Sequence, residues 1–370
     1  MNANPLTPLC RAARLSQRVL SWLAIAGAIA ALPVPALTIN ATFDSSITTH
    51  PRAADIQATI NSAIAFYEDS FSDPITASIK FQNMDTGLGG STTWRMTFSY
   101  TEYLAALKAH ATTEDDATAL AHLPAGPHNP VNGDDNVLLK LPLARALGFS
   151  AAPSPGNFDG VISLHLGIIN ISSTDTDASK YSLYAVVCHE IDEVLATGSL
   201  LDGVTNGAPV PTGAVSAEDL FRYDQNGVRG LSTAFAAEVY FSLDGTNELV
   251  RFNQAASGDF GDWYSPSWPT PQVQDAFMTP GATPVPVLEL RVLDALGFNR
   301  VPAVVYAAFG GTDPGIGTYQ QPFNALAGGV AGVRPNGTVV IKGPGSTSET
   351  LTISKAMTIT AIGGPATIGR

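Results

Sequence analysis

The stretch "VVCHEIDEVLAT", residues 186–197, gathers side chains of the kinds that hold and use a metal ion. His189 and Glu190 match the first two letters of H-E-x-x-H, where two imidazoles one helical turn apart bind an ion and the glutamate activates water. Glu193 stands where the second imidazole would be. At about 100° per residue, with His189 at zero, Glu193 lies at about 40° and Glu190 at about 100°. Leu183, Val187, Ile191, Val194 and Leu195 fall on the opposite, apolar side. His189 and Glu193 can therefore share an ion while Glu190 stands aside, able to take a proton without being a ligand. The simpler alternative is a solvated acidic helix face with a stray histidine. Against it, the entry "YSLYAVVC" is almost wholly apolar, and a buried face with an imidazole and several carboxylates needs a cation to stabilise it.

His189 is the last histidine in the chain, so no imidazole downstream can complete the site. The expected third ligand is Asp202 in "GSLLDG", just past the helix end expected near Gly198; its ordinary role would be to form the turn before Gly203. Asp219 in "AEDLFRYD" is the alternative, with Glu218 behind it. His122 and His165 lie upstream and could also bind. One imidazole and two carboxylates nearly neutralise a divalent ion. Zinc is the first expectation, and manganese, iron or calcium also suit such a set. Cys188 adjoins His189 but points about 100° away on a helix, which favours a buried inert thiol over a Cys–His pair. Met278 in "DAFMTPG" sits in a downstream turn, either beneath the metal or as an ordinary core residue. No further carboxylate helix turns Glu190 and Glu193 into a di-iron motif.

The elements that must position these residues read as α+β. "TINATF" and "ITASIKFQNM" alternate like strands, and Ile56, Ile60, Ala63, Ile64 and Tyr67 recur at helical spacing between them. "DTGLGGSTT" reads as a Gly-rich loop, without the Lys-Ser/Thr and helix of a phosphate cradle. "YTEYLAALKAHA" and "TTEDDATALAHL" read as helices, residues 123–160 mainly as loop, and "GVISLHLGIINI" as a strand. "EVYFSL" and "ELVRFN" flank an Asp-Gly turn as a hairpin, "GDFGDWYSPSWPTPQ" is an irregular aromatic loop, and "PVLELRVLDALGF" closes with a helix. Past residue 300 charges thin out, and short strands are expected at Thr338–Lys342, Leu351–Ser354, Met357–Ala361 and Ala366–Ile368, as one or two stacked coils. So few coils imply either a truncated chain or an end that leans on a neighbour.

The chain has 370 residues and a formal charge of −13. Arg11, Arg14 and Arg18 precede an apolar run and "VPA", which reads as a secretory signal over residues 1–36, cut after Ala36, rather than a membrane span. Its loss removes three arginines and no acids, taking −13 to −16. That balance disfavours nucleic-acid and anionic-membrane partners. Cys10 leaves with the signal, so Cys188 has no partner and the exported chain folds without a disulfide. Residues 37–299 and 300–370 are the expected structured units.

"AVVCHEIDEVLATGSLLDG", "EDLFRYDQNGVRG", "VYFSLDG", "GDFGDWYSPS" and "LELRVLDALGF" resemble exported bacterial metallopeptidase-like proteins of metzincin type, from about Thr38 to Phe298. There H-E-I-x-E-V is a known variant of the helix, so the resemblance implies a metal-dependent endopeptidase of protein or peptide substrates. Asp202 and Asp219 fall in its recurrent "S-x-x-D" and "D-L-F-R-Y" patterns. The chain departs from it at Ala196, where a turn-forming glycine is usual. The last seventy residues resemble the opening of a right-handed parallel β-helix of pectate-lyase-like proteins, which implies a structural or glycan-facing appendage. The competing expectation is a non-catalytic extracellular binding protein on a degenerate peptidase scaffold.

Overall fold

In the computed structural model residues 36–369 are described, apart from 154, 155, 266–269, 312–314, 316 and 320. The expected signal segment lies outside them but for its last residue, Ala36. Among the described residues the architecture is mixed α+β, with several separate sheets and no closed barrel. No described helix is long and apolar enough to cross a membrane.

The sheet that positions the site has four strands, in the order Thr38–Phe43, Thr76–Asn83, Gly160–Leu164 and Gly89–Thr93. The first three run parallel and the last is antiparallel, at the edge. Alternation explains the second strand, because Ala77, Ile79 and Phe81 are all fully buried while the residues between them are not. Helix Ala53–Glu68 joins the first two strands and buries Ile56, Ile60, Ala63, Ile64 and Tyr67, the set its spacing picked out. It packs on the site helix, Leu183–Leu195, where the Tyr67 hydroxyl donates to the Cys188 carbonyl at 3.0 Å. Helices Tyr100–His110 and Glu114–His122 both open on capping boxes, from Ser99 with Glu102 and from Thr113 with Asp116. The hairpin Val239–Ser242 and Glu248–Arg251 and the closing helix Val287–Leu296 also form.

Three readings are corrected. "DTGLGGSTT" is not all loop, since Gly89–Thr93 pairs with Gly160–Leu164 as a strand. Its small residues let it lie close against the site helix, a need that composition alone does not reveal. Within 123–160, Asn136–Lys140 is a strand and Leu141–Ala146 a short helix with proline in its first turn. Past residue 300, Val304–Ala307, Thr338–Lys342 and Thr358–Ile362 form one parallel sheet, and Gly345–Thr347 with Ala366–Ile368 another. Leu351–Ser354 is not a strand; Leu351 and Ile353 stay exposed. These strands enclose a small apolar core of their own, from Val305, Ala307, Leu326, Val333, Val339 and Ile341.

The site helix meets the sheet at Gly160, where an added Cβ would lie 2.4 Å from Val194 Cγ2. Any side chain there must push the helix away. Gly160→Ala should therefore lower unfolding free energy by about 1–3 kcal/mol, measured by urea denaturation, and Val194→Ala in the same chain should recover part of it. Unchanged stability in Gly160→Ala would contradict the close packing.

Candidate metal centre

Ser182 caps the site helix, its side chain accepting from the Ala185 amide at 3.4 Å. Leu183, Val187, Ile191, Val194 and Leu195 are fully buried, as the wheel requires. His189 and Glu193 emerge one turn apart on the other side, their side chains 12% and 18% exposed. The helix ends at Leu195. Ala196 has φ −162° and ψ −27°, a negative φ that needs no glycine, and the chain reverses at Gly198, φ +119°. The glycine missing from position 196 is thus no obstacle.

His189 Nε2 lies 3.7 Å from Glu193 Oε1 and 3.7 Å from Asp262 Oδ1. One ligand atom from each of the three falls within 4.8 Å of the others, so this largely buried group could hold a metal ion. The gaps exceed hydrogen-bond length. Tetrahedral ligands about 2.0–2.2 Å from a zinc ion would stand roughly 3.3–3.6 Å apart. The imidazole is oriented for the task. Its Nδ1 faces the Val273 carbonyl at 3.0 Å, an acceptor only, so Nδ1 carries the proton and Nε2 offers its lone pair. Gln274 Nε2 contacts His189 Nε2 at 3.3 Å and donates to Asp262 Oδ1 at 3.0 Å. Ser91 Oγ donates to the other Glu193 oxygen at 2.5 Å.

Glu190 is 4% exposed and its Oε2 has no hydrogen-bond partner among the described residues. It lies against the edge strand at Gly89, where an added Cβ would be 2.2 Å from Glu190 Oε1. Glu190, the three grouped residues, Leu88–Ser91, Asp259, Asp275 and Met278 line one cavity of about 360 Å³. Burial pushes the Glu190 carboxyl well above its ordinary range, and the charge of Glu193 pushes it further. Burial alone would lower the His189 pKa, but Asp262, Glu193 and Glu190 outweigh it and hold it well above the usual value. Without a bound cation, a protonated His189 carries the positive charge that these carboxylates demand.

Asp262, which the sequence does not single out as a ligand, comes from "GDFGDW", distant in sequence, expected as an irregular loop and quoted among the segments of the resemblance. Asp202 stands behind it. Its Oδ2 accepts from the Ser199 amide at 2.6 Å and its Oδ1 from the Gly261 amide at 2.7 Å. An added Cβ on Gly261 would lie 2.8 Å from Gly198 Cα, so two glycines cross backbone to backbone and bring Asp262 up to His189. Asp202 is outside the three-residue group and clamps the loop that carries its third member. Burial and the charge of Asp259 raise its pKa to about 7. Asp219 is also outside the group and accepts from Ser199 Oγ, the Leu200 amide and both Ser216 donors. Glu218 accepts from the Gly198 amide. His165 bonds the Gly87 carbonyl and His122 that of Thr118, and neither joins the group. Cys188 is buried and forms no disulfide among the described residues, and burial drives its thiol pKa well up.

Comparison with protein-family models, curated proteins and solved structures finds no match. The chemistry is read from the site itself.

Asp262→Ala should weaken zinc binding by about 100-fold or more, and Asp202→Ala, acting only through the loop, by roughly tenfold. Competition with a chromophoric chelator measures both. A larger loss in Asp202→Ala than in Asp262→Ala would reverse the two roles.

Proposed function

We propose that the chain is a secreted metal-dependent peptidase whose ion sits among His189, Glu193 and Asp262, with Glu190 as general base. The observation that carries this reading is Glu190 itself: a nearly buried carboxylate beside the three-residue group, on the wall of the same cavity, with one oxygen that no described residue bonds. A divalent ion, zinc before manganese, iron or calcium, would supply Lewis-acid polarisation of a carbonyl and of the attacking water. Glu190 takes the water's proton and returns it to the leaving amine. Burial and the charge of Glu193 raise the proton affinity of this carboxyl, the direction a proton-accepting base needs. Ser91 and the Val273 carbonyl keep Glu193 and His189 aimed at the ion.

The substrate class is supported by the edge strand. Among the described residues Gly89–Thr93 ends its sheet, so one row of its backbone groups has no strand partner there, and its first residues line the cavity. An extended polypeptide can add to such an edge by main-chain hydrogen bonds, which bring its carbonyls past Glu190. The resemblance of the helix and its flanking segments to metzincin-type proteins agrees with this reading. Parallel pairing past residue 300 supports a short β-helix segment.

Glu190→Gln should lower turnover of a quenched fluorescent peptide library by roughly 10²–10⁴ while zinc stays bound. Equal hydrolysis by the variant would remove Glu190 from the chemistry. Stoichiometric metal with no hydrolysis by the wild type would favour the non-catalytic binding protein.

A further inference from the structure

Exchanging an imidazole for the Glu193 carboxylate lowers the charge of the ligand set by one, and a cation stands nearby. Lys140 ends the strand Asn136–Lys140, and its Nζ donates to Thr93 Oγ1 at 2.6 Å. Thr93, Ser91 and Gly89 alternate along the edge strand and so share its face toward the site helix. Each serves a different charged group: Gly89 leaves space for Glu190, Ser91 bonds Glu193, and Thr93 holds the Lys140 ammonium. A Cβ added to Gly198 would lie 3.0 Å from Asp202 Oδ2 and 3.7 Å from Lys140 Nζ, so both charges border the turn after the site helix. Burial lowers the Lys140 pKa. Glu193, Asp202 and Glu218 act to keep it charged, while the exposed Arg95 opposes them.

We propose that Lys140 is the fixed counter-charge of Glu193. With it, His189, Glu193 and Asp262 present to an ion the same net charge as two imidazoles and one carboxylate. Lys140 is a positioning residue, acting through Glu193 and the local field, and touches neither ion nor substrate. The inference rests on the metal reading of the group and not on peptide hydrolysis. Its consequence has an unusual sign: an ammonium held on the same strand face as Ser91, the partner of Glu193, repels a divalent ion, so removing its charge should tighten binding. A lysine that only packs or bridges would, when lost, leave affinity unchanged or weaken it.

The test is zinc and manganese affinity by chelator competition in Lys140→Met, Lys140→Gln and Lys140→Arg, with folding followed by circular dichroism. The two neutral variants should bind about tenfold more tightly than wild type, and the arginine variant should match wild type. Glu193→His, with Lys140 intact, gives an independent reading if the neutral variants fold poorly. Although it restores an imidazole, it should bind zinc more weakly than wild type, because the ammonium's charge is then uncompensated. Equal or weaker affinity in folded neutral variants, or tighter binding by Glu193→His, would overturn the proposal. Absence of peptide cleavage alongside these affinity changes would count against the peptidase reading alone.

Discussion

The site depends on one electrostatic constraint: an imidazole and three carboxylates are held in a largely buried space, where like charges cannot remain uncompensated. Glu190, Glu193 and Asp262 crowd around His189, and their mutual repulsion is relieved by a cation among them or by protons on Glu190 and Asp262, whose pKa values burial drives well up. A proton on His189 provides one such charge, and a divalent ion would provide two at the point where the ligand atoms converge. The surrounding hydrogen bonds make sense on that basis. Val273 directs one imidazole nitrogen outward, Ser91 fixes one Glu193 oxygen, and Gln274 holds Asp262 close.

Bringing those groups together requires backbone approaches that only small residues permit. The site helix rests on the sheet at Gly160, Glu190 fits against Gly89, and the loop with Asp262 crosses the helix exit at Gly198 and Gly261. These contacts tie a local sequence signal to distant elements. The edge strand turns one face to the charged groups of the site, and its outer edge has no strand partner among the described residues.

The helix was legible because its information is local. Four-residue spacing places His189 with Glu193, and the apolar stripe from Leu183 to Leu195 fixes which side is buried. The strands with clean alternation and the helix Ala53–Glu68 were legible for the same reason. Gly89–Thr93 was not, because glycine, serine and threonine carry no alternation, and its strand form comes from pairing with Gly160–Leu164 and packing on the helix. Asp262 was hidden by separation along the chain. Asp202 has the short spacing that suggests a ligand, yet its oxygens are committed to two backbone amides. A carboxylate beyond a helix end can hold an ion or hold the loop that does, and spacing does not separate the two.

Anomalous diffraction at the zinc edge, from crystals of the zinc-loaded protein, tests the account most directly. The account predicts a single strong peak, about 2.0–2.2 Å from His189 Nε2 and from one oxygen each of Glu193 and Asp262, with Glu190 beyond bonding distance. No peak there, or one bonded to Asp202 in place of Asp262, would contradict it.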